Sequence, residues 1–166
     1  QFFRDGFPYE AAFSYGSHYL NDARDISREL GPNGAWIWDH PHMREAFPSY
    51  ADLICLDRFT HFFGDSGGIR NTGLTLSTDL LEDAWRHYGT PAIARNLLQA
   101  YEVNGRSSAV TLDTLFEEKI PLNLDEVKRA AAAAPPLAST LAPVRGFAVM
   151  RTGSGDNRTE LFFDFG

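Results

Sequence analysis

Residues 146–165, GFAVMRTGSGDNRTELFFDF, decide how the chain divides. Two runs of strand-forming residues, at 146–151 and 159–165, flank a turn-rich segment at 152–158. Two such runs around a glycine-containing turn are typical of a β-hairpin. This part of the chain is therefore predicted to open a β domain, and everything before it has a different character.

The chain upstream of a Pro- and Ala-rich stretch at 135–145 is predicted to be helical. Apolar residues there recur every three or four positions, and Ser, Thr, Gly and Pro stand where helices begin or end. The predicted helices cover residues 17–30, 39–48, 50–59, 77–88, 90–103, 112–118 and 124–134. A glycine-rich segment at 61–74 is predicted to be a loop.

This pattern predicts a mainly α fold with a terminal hairpin. The predicted division is a helical domain at 1–134, a linker at 135–145 and the first strands of a β domain at 146–166. Several phenylalanines near both ends would be awkward on a free surface. We therefore expect the chain to be a segment of a longer protein, with the rest of that protein as a partner.

Composition excludes some classes of function. A net charge of -7 argues against nucleic-acid binding, because phosphate recognition requires a basic face. No apolar run is long enough to span a membrane, and no signal peptide is visible. Cys55 is the single cysteine, and its apolar neighbours at 53–56 predict a buried structural thiol and not a nucleophile.

The segment 5–15, DGFPYEAAFSY, carries the chemistry of the helical part. It places Tyr15 at a helix entrance, close in sequence to Asp5 and Glu10. Such a tyrosine is either an acid–base catalyst or an aromatic packed under a turn. Glu10 either orients the tyrosine and sugar hydroxyls or accepts from backbone N–H groups, while Asp5 with Gly6 is most simply a turn residue.

Three segments, in this order, resemble the heparinase II/III-like polysaccharide lyases. Residues 5–15 resemble the family's D-G-x-x-x-E-x-[small]-x-x-Y segment, and 63–66 (FGDS) resemble its I-G-D-S loop. Residues 146–153 resemble its first sandwich strands. The resemblance implies part of an (α/α) toroid of antiparallel helix pairs, followed by the first hairpin of an antiparallel β-sandwich.

The same resemblance implies a polysaccharide lyase that cleaves a uronic-acid-containing glycan by β-elimination. Tyr15 would be the general acid, and in this family the tyrosine is often also the base. A phenol with a pKa of about 10 stays protonated at neutral pH, and it serves as a base only if positive charge lowers that pKa. Arg4 and Arg70 are the nearest cations to the two loop motifs.

The expected substrate contacts are Glu10, His18, Asp65 and Arg70, and the expected partner is an acidic polysaccharide or oligosaccharide. The resemblance also implies a periplasmic or secreted location. Two alternatives remain open. One is a uronyl epimerase of the same fold, which abstracts the same C5 proton without expelling a leaving group. The other is a glycan-binding or scaffold protein that has lost the chemistry.

The chain departs from the family in several places. The family's Asn and His from an earlier helix, and a later His with a metal site in some members, have no counterpart in these residues. Gly16 stands where the family often has a histidine. We therefore expect this segment alone to be inactive, to hold no metal, and to require no cofactor of its own. Any divalent metal is expected in the rest of the sandwich.

Three further patterns are ambiguous. The sequence around Ser66, GDSGG, resembles the nucleophile loop of chymotrypsin-like proteases, but its helical surroundings argue against that function. His40 and His42 flank a proline, which favours a turn over a metal site. Trp36 and Trp38 either stack on sugar rings or belong to the core.

Overall fold

A computed structural model describes residues 13–51, 53–56, 59–61, 76–105 and 121–165. The α-helices in this part are α1 (Phe13–Glu29), α2 (Trp36–Asp39), α3 (Pro41–Ala51), α4 (Thr78–Tyr88), α5 (Pro91–Asn104) and α6 (Leu124–Ala132). The strands are β1 (Ile54–Cys55), β2 (Phe59–Thr60), β3 (Thr140–Ala142), β4 (Phe147–Thr152) and β5 (Thr159–Asp164). Helices followed by a small antiparallel sheet confirm the mainly α fold.

Local sequence signals fix the ends of α4 and α5. The Ser77 hydroxyl accepts a hydrogen bond from Leu80 N at 3.3 Å, and the Thr90 hydroxyl accepts one from Ile93 N at 3.4 Å. These side chains satisfy N–H groups that lack a partner within the helix. Gly89 ends α4 with φ 58, a left-handed conformation that suits glycine. Both helices therefore lie where the sequence predicts them.

Two predictions about residues 39–59 are wrong. Pro48 lies inside α3 and does not end it. Because Pro48 is exposed, the carbonyl that loses its helical donor there can be hydrated. The predicted helix at 50–59 is instead the end of α3 followed by the β1–β2 hairpin, in which Ile54 pairs with Thr60. A short apolar run fits a buried strand as well as a buried helix, and periodicity cannot separate them.

The second sheet contains three strands in the order β3-β4-β5, all antiparallel. The hairpin predicted at 146–165 is confirmed as β4 and β5. The third strand, β3, lies within the predicted linker at 135–145. It pairs with β4 through Thr140 opposite Val149 and Ala142 opposite Phe147. The predicted helix at 112–118, and residues 62–74 of the loop predicted at 61–74, lie outside the described residues.

The sheet has two different faces, because side chains alternate along each strand. On the inner face Ala142, Phe147 and Val149 are fully buried and belong to the same apolar cluster as the helices. The outer face is apolar but exposed. Its large members are Leu141, Met150, Leu161 and Phe163. The inner face thus joins the sheet to the helical layer.

A search of the described helices finds none with the length and apolar character that crossing a membrane requires.

Candidate functional site

The structure describes the predicted site residues only in part. Tyr15 lies in the first turn of α1, where the backbone is described, and His18 lies exposed on the same helix. Glu10, Asp65 and Arg70 lie outside the described residues, as do Arg4, Asp5 and Ser66. That these side chains lie together in one site therefore stays a prediction.

An open groove of about 390 Å³ runs beside α1. It is lined mainly by apolar atoms, with imidazoles at one side. The lining residues that matter here are Tyr19, Ile26, Trp36, His40, His42 and Met43. Residue 15 precedes Tyr19 by four positions, so both positions share one face of α1. The helix that carries Tyr15 therefore also forms one wall of this groove.

Trp36 and Trp38 have different environments. Trp38 is 4% exposed and packs in the core, with its ring centroid 6.1 Å from that of Phe47. Trp36 is 62% exposed and lines the groove. The core interpretation is confirmed for Trp38 alone, whereas Trp36 offers an accessible ring face on which a sugar could stack.

His40 and His42 lie at the start of α3. Their ring centroids are 5.3 Å apart, and His40 Nδ1 accepts a hydrogen bond from the His42 backbone N at 3.3 Å. His40 thus caps a helix start, in agreement with the turn predicted from the His-Pro-His sequence. Within the described ranges, no third Cys, Asp, Glu or His joins this pair to form a metal-binding group.

A second concentration of polar groups lies where the β1–β2 hairpin meets the inner face of the sheet. Cys55 comes from β1, His61 follows β2 directly, and Glu160 comes from β5. One potential ligand atom from each residue lies within 4.8 Å of the other two. His61 also stacks on Phe162, with 4.5 Å between ring centroids. We call Cys55, His61 and Glu160 the junction cluster.

Arg151 forms the charged wall of the junction cluster. It lies directly opposite Glu160 in the β4–β5 register, and its Nε is 3.6 Å from Glu160 Oε2. The two side chains are only 7% and 4% exposed. Arg151 also donates to the backbone oxygens of Ala138 at 2.7 Å and Ile54 at 3.4 Å. This arginine therefore connects the sheet to the β1–β2 hairpin.

Burial governs ionisation in the junction cluster. It raises the pKa of the Cys55 thiol to about 11, with the Glu160 carboxylate adding to the rise through its charge and a hydrogen bond. Burial also lowers the pKa of His61, and Glu160 opposes that shift. At neutral pH the thiol is thus protonated and the imidazole neutral. This supports the predicted structural thiol, because a nucleophile needs the thiolate.

A cleft of about 590 Å³ lies beside the junction cluster, between the end of α6 and the turn joining β4 to β5. Arg95, Arg151 and Arg158 line it together with Glu160. The chain is acidic as a whole, so this local excess of arginine is a distinct feature. Arg158 donates to the backbone oxygen of Leu56 at 3.4 Å, so this arginine also contacts the hairpin region.

Sequence reasoning missed the junction cluster, although one signal was present. Alternation from the buried Phe147 and Val149 places Arg151 on the inner face, and the hairpin register then places Glu160 opposite it. Nothing comparable pointed to Cys55 and His61, because the segment 50–59 reads as a helix.

No family model, no curated protein and no solved structure matches this chain.

Proposed function

We propose that the protein is a polysaccharide lyase of the heparinase II/III type, which cleaves a uronic-acid-containing glycan by β-elimination. The observation that carries the proposal is the groove beside α1, because the helix that carries Tyr15 forms one of its walls and Trp36 and two imidazoles line it. Aromatic rings and polar imidazoles in an open groove suit an oligosaccharide. The order of the three sequence segments supports the same function.

The proposed reaction needs a base, an acid and a group that neutralises the uronate. The base removes the C5 proton, and the electron pair of the broken C5–H bond forms the C4–C5 double bond as the C4–O bond breaks with its electrons. The Tyr15 phenol donates its proton to the departing oxygen. Neutralising the carboxylate lowers the cost of the carbanion-like transition state, and Arg70 is the cation that we assign to this task. Glu10, His18 and Asp65 are assigned to substrate binding.

The proposal includes an (α/α) toroid and a β-sandwich as the complete architecture. The exposed outer face of the sheet supports it, since Leu141, Met150, Leu161 and Phe163 form an apolar surface that a second sheet would cover. Helices packed on the inner face agree with a toroid that adjoins the sandwich.

The test is an assay of the full-length protein against heparan sulfate, alginate and chondroitin. Elimination creates an unsaturated uronate that absorbs in the near-ultraviolet. We expect Tyr15→Phe to lower the elimination rate by about 100-fold or more, the usual contribution of a positioned acid. Tyr101→Phe is the matched control, because it removes a phenol that donates to Glu82, far along the chain in α5. This control should keep the wild-type rate.

The outcomes separate the alternatives. An epimerase would exchange the C5 proton with deuterated solvent and give no unsaturated product, and a glycan-binding protein would do neither. If Tyr15→Phe and Tyr101→Phe eliminate at the same rate as wild type, Tyr15 is not the acid.

A further inference from the structure

We propose that Cys55, His61 and Glu160 bind a divalent metal ion of the zinc class, which fastens the β1–β2 hairpin to the three-stranded sheet. The proposal does not rest on the lyase activity. It departs from the sequence-based expectation that this segment holds no metal, because that expectation was formed without knowing that these three residues meet.

The donor set favours zinc over harder cations. A thiolate, an imidazole and a carboxylate are all common zinc ligands, whereas Mg²⁺ and Ca²⁺ prefer oxygen ligands alone. Three protein ligands leave a fourth tetrahedral position for water. The cluster thus has the ligand number of an open zinc site, although it lies at a structural junction.

The three ligand atoms need to move only slightly closer together to reach the spacing of a zinc site. Ligand atoms bound about 2.0–2.3 Å from a tetrahedral zinc ion lie about 3.3–3.8 Å from one another. The three atoms in the junction cluster already lie within 4.8 Å. Rotation of the His61 and Glu160 side chains can close the remaining gap of about 1 Å, so the backbone of β1 and β5 need not move.

Buried atoms that lack a hydrogen bond provide a second, independent observation. His61 Nε2 and Glu160 Oε2 are buried and make no hydrogen bond within the described part of the chain. Glu160 Oε2 is paired with Arg151 Nε, at 3.6 Å, and the Glu160 side chain is 4% exposed. A buried polar atom without a hydrogen bond is costly. A metal ion would satisfy both atoms at once.

The charges in and around the junction cluster allow a divalent metal ion to bind and limit its affinity. The Cys55 thiol releases its proton to solvent when the metal binds, so that one thiolate, one carboxylate and a neutral imidazole together offset the 2+ charge. Arg151 remains beside Glu160 as an additional positive charge, held by the carbonyls of Ala138 and Ile54. We therefore expect weaker binding than at a closed four-ligand site, and binding that strengthens as pH rises.

Cobalt and zinc titrations of the chelator-stripped full chain test the proposal. Cobalt should give the intense thiolate-to-metal absorption in the near-ultraviolet, and equimolar zinc should abolish it. Zinc should also slow alkylation of Cys55. Both measurements use the wild-type chain, so neither depends on a variant that folds poorly.

Variants locate the site. Cys55→Ser should abolish the thiolate band, and Glu160→Gln should weaken zinc binding about tenfold or more. The double variant His40→Ala/His42→Ala removes the other histidine pair and should bind cobalt and zinc as wild type does. Circular dichroism checks that each variant is folded. The proposal is overturned if folded wild-type chain binds no zinc, if cobalt binds without a thiolate band, or if only the His40/His42 variant loses binding.

Discussion

Side chains are buried both in the helical layer and in the junction cluster, but those of the helical layer are mainly apolar and those of the junction are polar or charged. In the helical layer Leu80, Leu97 and Ala100 are fully buried in one apolar cluster. At the junction the chain encloses a thiol, an imidazole and an Arg–Glu pair. Burying apolar groups stabilises the fold directly, whereas burying charge is costly unless it is partnered.

The difference indicates what each region is for. Apolar residues with the right volume explain most of the helical layer, in which Asn96 is a buried polar exception. They do not explain the junction, since an apolar pair in place of Arg151 and Glu160 would fold at least as well by the same reasoning. The cost of the polar cluster agrees with the metal site proposed there, which rests on the ligand types and their spacing.

The largest effect is expected in the helical layer. Leu97→Ala should lower the free energy of unfolding by about 2–5 kcal/mol, because it removes a fully buried side chain from a packed core. Urea denaturation measures the change. Leu98→Ala is the matched control one position along α5, where the side chain is only partly buried. Equal losses for the two variants would contradict the assigned core face of α5.

A smaller but more diagnostic effect is expected at the junction. Arg151→Met should cost about 3 kcal/mol in the presence of chelator, because it leaves the Glu160 carboxylate buried without its cation. The double variant Arg151→Met/Glu160→Leu should recover most of that loss. Urea denaturation of both proteins gives the comparison. If the double variant is no more stable than Arg151→Met, the unpaired Glu160 carboxylate is not the source of the loss in the free energy of unfolding.

The two regions also differ in how far the sequence predicts them. Ser77, Gly89, Thr90 and Pro91 act within a few residues of their own positions, so the ends of α4 and α5 follow from local rules. The junction depends on contacts such as Arg151 to the Ile54 carbonyl, 97 positions apart. Strand alternation together with the hairpin register could have placed Arg151 and Glu160 together. The β1–β2 hairpin could not be inferred, because its apolar run has no distinctive period.

The candidate lyase site is a third case, in which the sequence provides more than the structure describes. The order of the segments at 5–15, 63–66 and 146–153 depends on the chain alone, and two of them lie largely outside the described residues. What the structure adds is the groove beside α1 and the exposure of Trp36. A mechanism needs side-chain distances, and those follow from three-dimensional packing that no motif spacing specifies.

The smallest expected effect is a pH dependence within the helical layer. The His87 ring stacks on Trp38 with 4.3 Å between centroids, and the partial burial of this otherwise exposed residue lowers the pKa of His87. Asp83 and Asp39 oppose that shift, and Arg86 adds to it. Because the folded chain then binds this proton less readily than the unfolded chain, the stabilising contribution is complete above about pH 6.5 and declines as the pH falls further.

His87→Gln should reduce that decline in the free energy of unfolding, measured by urea denaturation at several pH values. An NMR titration that gives His87 a pKa above its ordinary value would contradict the sign of this effect, and it would mean that the carboxylates of Asp83 and Asp39 outweigh the stacked tryptophan.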